Sequence, residues 1–258
     1  MYQILLDQWE GNLDIDDALI KVSGVAGMIS RINSMSGGHH MDGSFIKAWA
    51  DSKIFDVRCP YFVYNPYVDG LANFNWLFPR IPGDAPKRIM IDIEILMKGY
   101  SPSTYGYQVS LLISKLQDAG YWPAVYSGLW FLGNLSPWPK VDYWWAKYPY
   151  SVYPGSLTQI SWDQLIKKVN ALSWDPDPYK KSPGPVKLWQ CSGDKYILPG
   201  TSGKPMDINL WQGSLAELKA WFGMSGSPAP SNWWDGLTLE ERVLQLCKAH
   251  PGLVVNKN

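Results

Sequence analysis

Two kinds of apolar segment alternate along this chain, and their order constrains the fold more than any other feature. Short runs rich in β-branched and aromatic residues are typical of buried strands, whereas longer runs with a 3.6-residue period are typical of amphipathic helices. Their alternation predicts an α/β fold with a largely parallel sheet, and eight strands with intervening helices predict a TIM-like barrel. The predicted strands cover residues 3–7, 19–23, 60–64, 89–95, 123–127, 143–146, 186–190 and 206–210.

The segments between these strands differ in length, so we expect an irregular barrel. The clearest helix is predicted over residues 103–119, which carry apolar side chains on one face and are followed by Gly120, a typical helix stop. Two more helix starts are marked by capping-box spacing, and two loops by their composition. These are Ser161 with Gln164, Ser214 with Glu217, residues 34–44 and residues 175–185.

The composition of the chain changes after residue 223. Residues 224–232 are rich in Ser, Pro and Gly, which predicts a linker after a catalytic domain formed by residues 1–223. Residues 233–258 predict a short helical tail with an apolar stripe too short to fold alone. We expect the tail either to dock on the barrel or to associate weakly with the tail of another copy. The stripe consists of Leu239, Val243 and Leu246.

The overall charge excludes some classes of partner. The 258 residues include 23 basic and 23 acidic side chains, and the Lys and Arg residues are scattered, so we expect no nucleic-acid partner. No run of 18 apolar residues suggests a membrane span, and the N-terminus lacks the basic region of a signal peptide. The 15 Trp and 15 Tyr greatly outnumber the 7 Phe. These amphipathic rings suit stacking on sugars as well as core packing.

No motif predicts a metal or cofactor. Cys59, Cys191 and Cys247 lack metal-ligand spacing and are expected to be free thiols. The adjacent His39 and His40 point apart in any regular element and lie in a Gly-rich segment, which we interpret as a mobile surface loop. Glycine-rich phosphate-binding loops are also missing from the sequence. We therefore expect neither zinc nor nucleotide chemistry.

Two carboxylates interrupt the most apolar of the predicted strands. In Ile89-Met-Ile-Asp92-Ile-Glu94-Ile, strand alternation places Asp92 and Glu94 on the same face. Neighbouring acids in a low-dielectric setting separate each other's pKa values, as general acid–base pairs in glycoside hydrolysis require. The alternative is a pair neutralised by Lys or Arg, or placed at a wet strand end.

Further acids are predicted to converge on this pair. Functional groups of β/α barrels lie at the C-terminal ends of the strands, where Asp7 ends the first strand and Asp207 lies in the last. Four acids from three strands would then meet at one mouth. Four aromatic residues also fall at strand ends and are expected to line the cleft. They are Tyr64, Tyr126, Trp145 and Trp189.

These motifs resemble glycoside hydrolase family 25, the lysozymes or N-acetylmuramidases of many phages and bacteria. The first segment is similar to the family's Asp followed by Trp-x-Gly, and the fourth to its hydrophobic strand ending in Asp-x-Glu. Later segments are similar in the same order, and together the resemblance covers about residues 1–223. The matching segments are Asp7-Gln-Trp9-Glu-Gly11, Ile89-Met-Ile-Asp92-Ile-Glu94, Pro123-Ala-Val-Tyr126, Tyr143-Trp-Trp-Ala146, Leu188-Trp-Gln190, Met206-Asp207-Ile-Asn209 and Trp211-Gln-Gly213.

The resemblance implies cleavage of the β-1,4 bond between N-acetylmuramic acid and N-acetylglucosamine, with bacterial cell-wall peptidoglycan as the partner. Glu94 would be the general acid, and Asp92 would support it or orient the acetamido group. Asp7 and Asp207 would shape the charge around the oxocarbenium ion, and Trp9 would contact the glycan. Without a leader, the protein would reach the cell wall by lysis or in a phage particle.

Two segments depart from the family pattern. Where the second strand commonly runs Lys-Ala-Ser/Thr-Glu-Gly, this chain has Lys21-Val-Ser-Gly24, so an expected acid is missing at Gly24. The aromatic-His-Phe pattern of the third strand is replaced by Tyr61-Phe-Val-Tyr64-Asn65. Both changes would affect the positioning of the glycan more than proton transfer.

Two other functions remain open. A chitinase-type barrel also uses acids at strand ends, but Met90 stands where its Asp-x-Asp-x-Glu series has a further Asp. A non-catalytic glycan-binding barrel or phage structural component would fit the missing acid and a self-pairing tail. The four clustered acids argue against it, because binding alone needs aromatic and amide groups.

Overall fold

The structure is a computed structural model that describes residues 2–12, 14–34, 39–96 and 99–224. Within these ranges the strands are β1 (Tyr2–Gln8), β2 (Gly27–Arg31), β3 (Val57–Val63), β4 (Arg88–Asp92), β5 (Trp122–Gly128), β6 (Asp142–Ala146), β7 (Thr158–Gln159), β8 (Val186–Ile197) and β9 (Pro205–Gln212). The α-helices are α1 (Asp17–Val22), α2 (Phe45–Asp51), α3 (Gly70–Leu77), α4 (Pro102–Asp118), α5 (Trp162–Asn170) and α6 (Leu215–Phe222).

Eight of these strands close into a mixed barrel. Strands β1 to β6 are parallel neighbours in chain order, and β8 pairs in parallel with β6. Strand β9 fills the remaining gap and runs antiparallel to both β8 and β1. The two-residue β7 extends the sheet beside β8 outside this closure. The predicted irregular TIM-like barrel is confirmed, with one reversed strand.

Alternating side chains divide the strands into an inner and an outer layer. Leu5 and Met90 belong to the cluster inside the barrel, while Leu6 and Ile91 belong to two outer clusters, formed with helices α5 and α4 respectively. Helix α6 contributes Leu218, Trp221 and Phe222 to the inner cluster. Since Trp221 bonds to Arg88 and Asp142, at the starts of β4 and β6, the helix covers the N-terminal end of the barrel. The C-terminal end is left for a binding site.

The second predicted strand is wrong, because residues 19–23 lie in and just after helix α1. The Asp16 side chain accepts a hydrogen bond from the Leu19 backbone N–H and caps this helix. Ile20 is fully buried whereas Val22 is 80% exposed, as expected for a short helix with one buried face. The strand comes later, at β2, where all five residues are buried.

Other sequence predictions agree with the structure. Helix α4 lies within one residue of its predicted bounds, and Gly120 follows it at a φ of +84°. Both predicted capping boxes are formed, by Ser161 at α5 and Ser214 at α6. Cys59 and Cys191 are buried free thiols. The predicted linker from residue 225 onward, the tail and Cys247 lie outside the described residues.

His39, which follows the undescribed residues 35–38, is packed more closely than a residue of a mobile surface loop would be. The His39 ring stacks on Trp76 at 5.0 Å between centroids, and its Nε2 lies 3.2 Å from Asn73 Oδ1. An isolated bridge pairs Asn33 with Met41. Among the described residues, no helix has the length and apolar character needed to cross a membrane.

Candidate active site

The four predicted acids lie together at the C-terminal end of the barrel. Asp7 and Asp207 are directly opposite each other in the β1–β9 register, although their strands run in opposite directions. Asp92 is the last residue of β4, and Glu94 lies two residues beyond it. All four line one cavity of about 330 Å³, which we call the acid pocket. The positions of Asp7, Asp92 and Glu94 follow the prediction from C-terminal strand ends, whereas Asp207 joins them because the reversed strand β9 begins at this end of the barrel.

Glu94 is held just beyond the end of β4. Ile93 continues the sheet pairing, because its backbone N–H donates to Tyr126 O at 3.0 Å and its carbonyl accepts from Ser127 Oγ at 2.9 Å. The Tyr105 hydroxyl donates to the Ile95 carbonyl at 2.9 Å. These contacts fix the backbone on both sides of Glu94, which is half-buried and faces the acid pocket.

Two buried amides hold Asp7. Its Oδ2 accepts hydrogen bonds from Asn209 Nδ2 at 2.8 Å and Gln190 Nε2 at 3.2 Å. Each amide is oriented from its other end, because Trp144 Nε1 donates to Asn209 Oδ1 and the Tyr126 hydroxyl donates to Gln190 Oε1. The N–H groups of both amides are therefore directed at the carboxylate.

The same network reaches Asp207. Gln190 Nε2 lies 3.3 Å from Asp207 Oδ2, and the Asp194 backbone N–H donates to Asp207 Oδ1 at 2.6 Å. A second hydroxyl, from Tyr148, donates to Gln190 Oε1 at 2.6 Å. Gln190 thus connects the two acids to two tyrosines.

Burial favours the protonated forms of these acids. It raises the pKa of Asp7 to about 6, against the opposing effect of the Asn209 and Gln190 hydrogen bonds. Burial also raises the pKa of Asp92 well above its ordinary value, and the nearby charge of Glu94 adds to this. The pKa of Asp207 is likewise raised, by burial and then by Asp7.

Glu94 combines a raised pKa with access to the cavity. Burial is the larger cause and the charge of Asp7 the next, while Arg31 opposes them. The Asp92 carboxyl is more deeply buried, and its Oδ1 has no hydrogen-bond partner among the described residues. The pocket therefore places an accessible acid with a raised pKa beside a more deeply buried acid whose pKa the charge of Glu94 raises as well. Such a pair can exchange protons with a bound substrate through its accessible member, as general acid catalysis requires.

Arg31 is the cation of the acid pocket. It ends β2, its Nε donates to Asp42 at 3.0 Å, and its other end lies 3.3 Å from Glu10 Oε1. Glu10 also accepts from Ser34 Oγ at 2.8 Å. The guanidinium lies 5.1 Å from the centre of the Trp9 ring. These contacts connect the segment after β1, which carries Trp9 and Glu10, to the end of β2.

The predicted aromatic residues are divided by the barrel wall. Trp9 and Tyr126 line the acid pocket. Tyr64, Trp145 and Trp189 do not line it, because they belong to the apolar clusters between the barrel and its helices. Alternation explains the difference, since Trp144 and Gln190, next to Trp145 and Trp189, face inward. Lining residues that the sequence analysis did not select are Glu10, Arg31, Ser34, Tyr61, Trp144, Gln190 and Asp194.

The position of Gly24 needs correction. It lies in the turn between α1 and β2, before the strand and at the end of the barrel opposite the acid pocket. Its φ is +94°, and no atom lies within 4 Å of where a side chain would begin. The missing acid was assigned by matching a helix end to a strand. The C-terminal end of β2 instead brings Arg31 and Ser34 to the pocket.

No group of three or more His, Cys, Asp or Glu side chains suited to a metal ion occurs in the part of the chain that the structure describes. The chemistry available in the acid pocket is that of carboxyl groups with raised pKa values, buried amides and aromatic rings. Such a set can donate and accept protons around a neutral or cationic centre.

Comparisons with solved structures identify the same architecture. The chain resembles a bacterial lysozyme from Streptomyces coelicolor, with a TM-score of 0.64, 17% identity, and coverage of 87% of this chain and 99% of that one. It also resembles a family 25 glycosyl hydrolase from Bacillus anthracis, with a TM-score of 0.62, 16% identity, and coverage of 84% of this chain and 92% of that one. A third similar structure is the catalytic domain of an endolysin from a bacteriophage of Listeria monocytogenes, with a TM-score of 0.58, 16% identity, and coverage of 86% of this chain and 98% of that one. No family model and no curated protein matches the sequence.

The sequence identities to these and other similar structures are 15–18%, which is enough to establish a shared fold but not a shared detailed activity. The structural similarity nevertheless extends over more than four fifths of the chain. The family resemblance that the motifs predicted is confirmed at this level. This chain has the barrel fold of the glycoside hydrolase family 25 lysozymes.

Proposed function

We propose that this protein is a peptidoglycan hydrolase that cleaves the β-1,4 bond between N-acetylmuramic acid and N-acetylglucosamine. The observation that carries the proposal is the placement of Glu94. Its carboxyl faces the acid pocket, is half-buried, and has a pKa raised mainly by burial. The fold shared with lysozymes and endolysins supports the choice of substrate class.

Each acid has a distinct role in the proposed reaction. Glu94 protonates the leaving glycosidic oxygen, and Asp92 supports it or orients the acetamido group of the substrate. Asp7 and Asp207 shape the charge around the developing oxocarbenium ion. The hydrogen bonds from Gln190 and Asn209 support this role, because they fix both carboxyl groups before the substrate arrives.

The proposed place of action is the bacterial cell wall outside the producing cell. Release by lysis or transport in a phage particle would bring the protein there, in keeping with its structural similarity to the catalytic domain of an endolysin. One argument for a non-catalytic glycan-binding barrel was the acid missing at Gly24. That argument no longer holds, because Gly24 lies away from the acid pocket. The four clustered carboxyl groups favour the hydrolase.

The substitution Glu94→Gln tests the proposal. It keeps the shape of the side chain but removes the transferable proton, so we expect reducing-end release from purified peptidoglycan to fall by about 100-fold or more. Wall binding and thermal unfolding should be unchanged. The matched control is Glu10→Gln, in the same pocket. The Glu10 carboxylate accepts from Arg31 and Ser34, so this variant should lose much less activity.

Three results separate the alternatives. Wild-type protein that binds walls but releases no reducing ends would indicate a binding barrel. Equal losses in the two variants would contradict the role of Glu94. Release of products that carry N-acetylglucosamine at the reducing end would contradict the proposed bond.

A further inference from the structure

A second cavity lies beside the acid pocket on the outer side of strand β6. Its volume is about 410 Å³, larger than that of the acid pocket, and its walls are mainly aromatic. Three of its rings are strongly exposed, with Trp130 at 53%, Tyr179 at 68% and Tyr150 at 99%. We call it the aromatic cavity, and its main lining residues are Leu129, Trp130, Tyr148, Tyr150, Tyr153 and Tyr179.

Tyr148 connects the two cavities. Its ring lines the aromatic cavity, while its hydroxyl donates to Gln190 Oε1 in the acid pocket. On the other side the ring stacks on Tyr153, with 4.7 Å between centroids, and Trp130 lies 6.4 Å away. Tyr148 is thus the central ring of a group of three and also contacts Gln190. The two cavities are therefore close enough to share one residue contact, between Tyr148 and Gln190.

The charged side chains that line the aromatic cavity, Lys147 and Asp177, are both held by partners in the protein. Lys147 Nζ lies 3.6 Å from the Asp175 carboxylate and 3.3 Å from its carbonyl oxygen. The Asp177 carboxylate accepts the backbone N–H groups of Lys181 at 2.9 Å and Ser182 at 2.6 Å. Lys195 Nζ lies 5.5 Å from the centre of the Tyr153 ring. A cavity with several flat aromatic walls and few charged side chains suits a ligand with an apolar face.

We propose that the aromatic cavity binds a neutral N-acetylated sugar ring of the glycan strand, some distance from the bond that is cut. The proposal rests on the proposed glycan substrate and adds a second binding site for the same strand. Stacking on the exposed rings provides the affinity, and the aromatic walls favour a sugar ring over a strongly charged peptide. Longer strands should therefore bind more tightly than short ones.

Binding by the Glu94→Gln variant tests this without turnover. The probes are peptide-free glycan fragments of two and of six sugars, prepared from bacterial cell wall, and the dissociation constants are measured by calorimetry. We expect the six-sugar fragment to bind about tenfold more tightly. Adding Trp130→Ala or Tyr179→Ala should reduce this advantage about three- to tenfold, the range expected for loss of one stacking ring. Neither should change binding of the two-sugar fragment.

Tyr67→Ala is the matched control, because Tyr67 is 61% exposed and lines neither cavity. It should keep the full length advantage. Equal binding of the two fragments, absence of binding by both, or an advantage that survives both aromatic substitutions would overturn the proposal. If wild-type protein releases no reducing ends while the length advantage persists and depends on Trp130, the proposed hydrolysis fails and the second glycan site stands.

Discussion

At the scale of single residues, the site is organised by burial that is only partly offset by hydrogen bonds. Asp7 shows this balance most clearly, because two amides donate to it and its pKa still rises to about 6. The folded protein therefore binds this proton more strongly than the unfolded chain, whose ordinary pKa is 3.8. Asp7 thus decreases the free energy of unfolding as the pH rises from about 4 to 6.

The substitution Asp7→Asn should remove this pH dependence. Relative to wild type, the free energy of unfolding of the variant should increase by up to about 3 kcal/mol between pH 4 and pH 7, the linkage equivalent of a two-unit shift. Urea unfolding at several pH values measures the difference. For the control Asp163→Asn, at an exposed carboxyl, the free energy of unfolding should change with pH in the same way as in the wild type. Parallel curves for Asp7→Asn itself would contradict the assignment.

Arg31 acts on the acids through its charge. It lowers the pKa values of Asp92 and Glu94 against the effect of burial. Replacing it by Gln should raise the pKa of Glu94 further, so that the general acid keeps its proton to higher pH. The alkaline limb of the pH–activity profile should then move upward, whereas Arg31→Lys should leave it nearly in place.

The same substitutions have a separate effect on stability. Arg31→Gln leaves the buried Asp42 carboxylate without its cation and should cost about 3–5 kcal/mol, measured by urea unfolding. The pH profile is therefore compared at a temperature where both variants are folded. Identical profiles for the Gln and Lys variants would show that the charge of Arg31 does not set the pKa of Glu94.

At the scale of elements, the sequence predicts strands well where apolar runs are long and bounded by turns. It fails at α1, because a five-residue run containing Leu19, Ile20 and Val22 fits a short helix as well as a strand. Asp16 as an N-cap was the signal that distinguishes them. Where two aromatic residues are adjacent in a strand, periodicity also could not show which of the two side chains faces into the barrel. At Trp144 and Trp145 that choice depends on barrel register.

Helix α6 is the element whose removal should most damage the barrel, because it covers the end opposite the acids. Phe222 is fully buried in the inner cluster, so Phe222→Ala should cost about 3–5 kcal/mol. Ser214→Ala removes only the capping box of the same helix and should cost about 1 kcal/mol. Urea unfolding measures both. Similar small losses would show that α6 is peripheral to the inner core.

At the scale of the whole molecule, the site exists only because the barrel closes. Asp7 is near the start of the described chain and Asp207 near its end, and they meet because β9 pairs with β1. Asp7, Asp92 and Glu94 could be predicted from strand ends, since a closed barrel brings those ends to one mouth. The reversal of β9, which places Asp207 near the start of its strand, could not. The amides could not, because Gln190 and Asn209 stand in apolar strands and gain a role only from the partners that closure provides. A polar residue in a buried strand was the available signal.

The predicted tail is tested on the same scale. Its apolar stripe, at Leu239, Val243 and Leu246, would be exposed on a lone short helix, and burying it against another copy would remove that surface from water. We therefore expect that removing residues 224–258 lowers the number of chains per particle, which light scattering gives as the measured mass divided by the mass of one chain. Val243→Glu should do the same, whereas Gln245→Glu, off the stripe, should not. A monomeric mass in every case would contradict self-association and favour a tail docked on its own barrel.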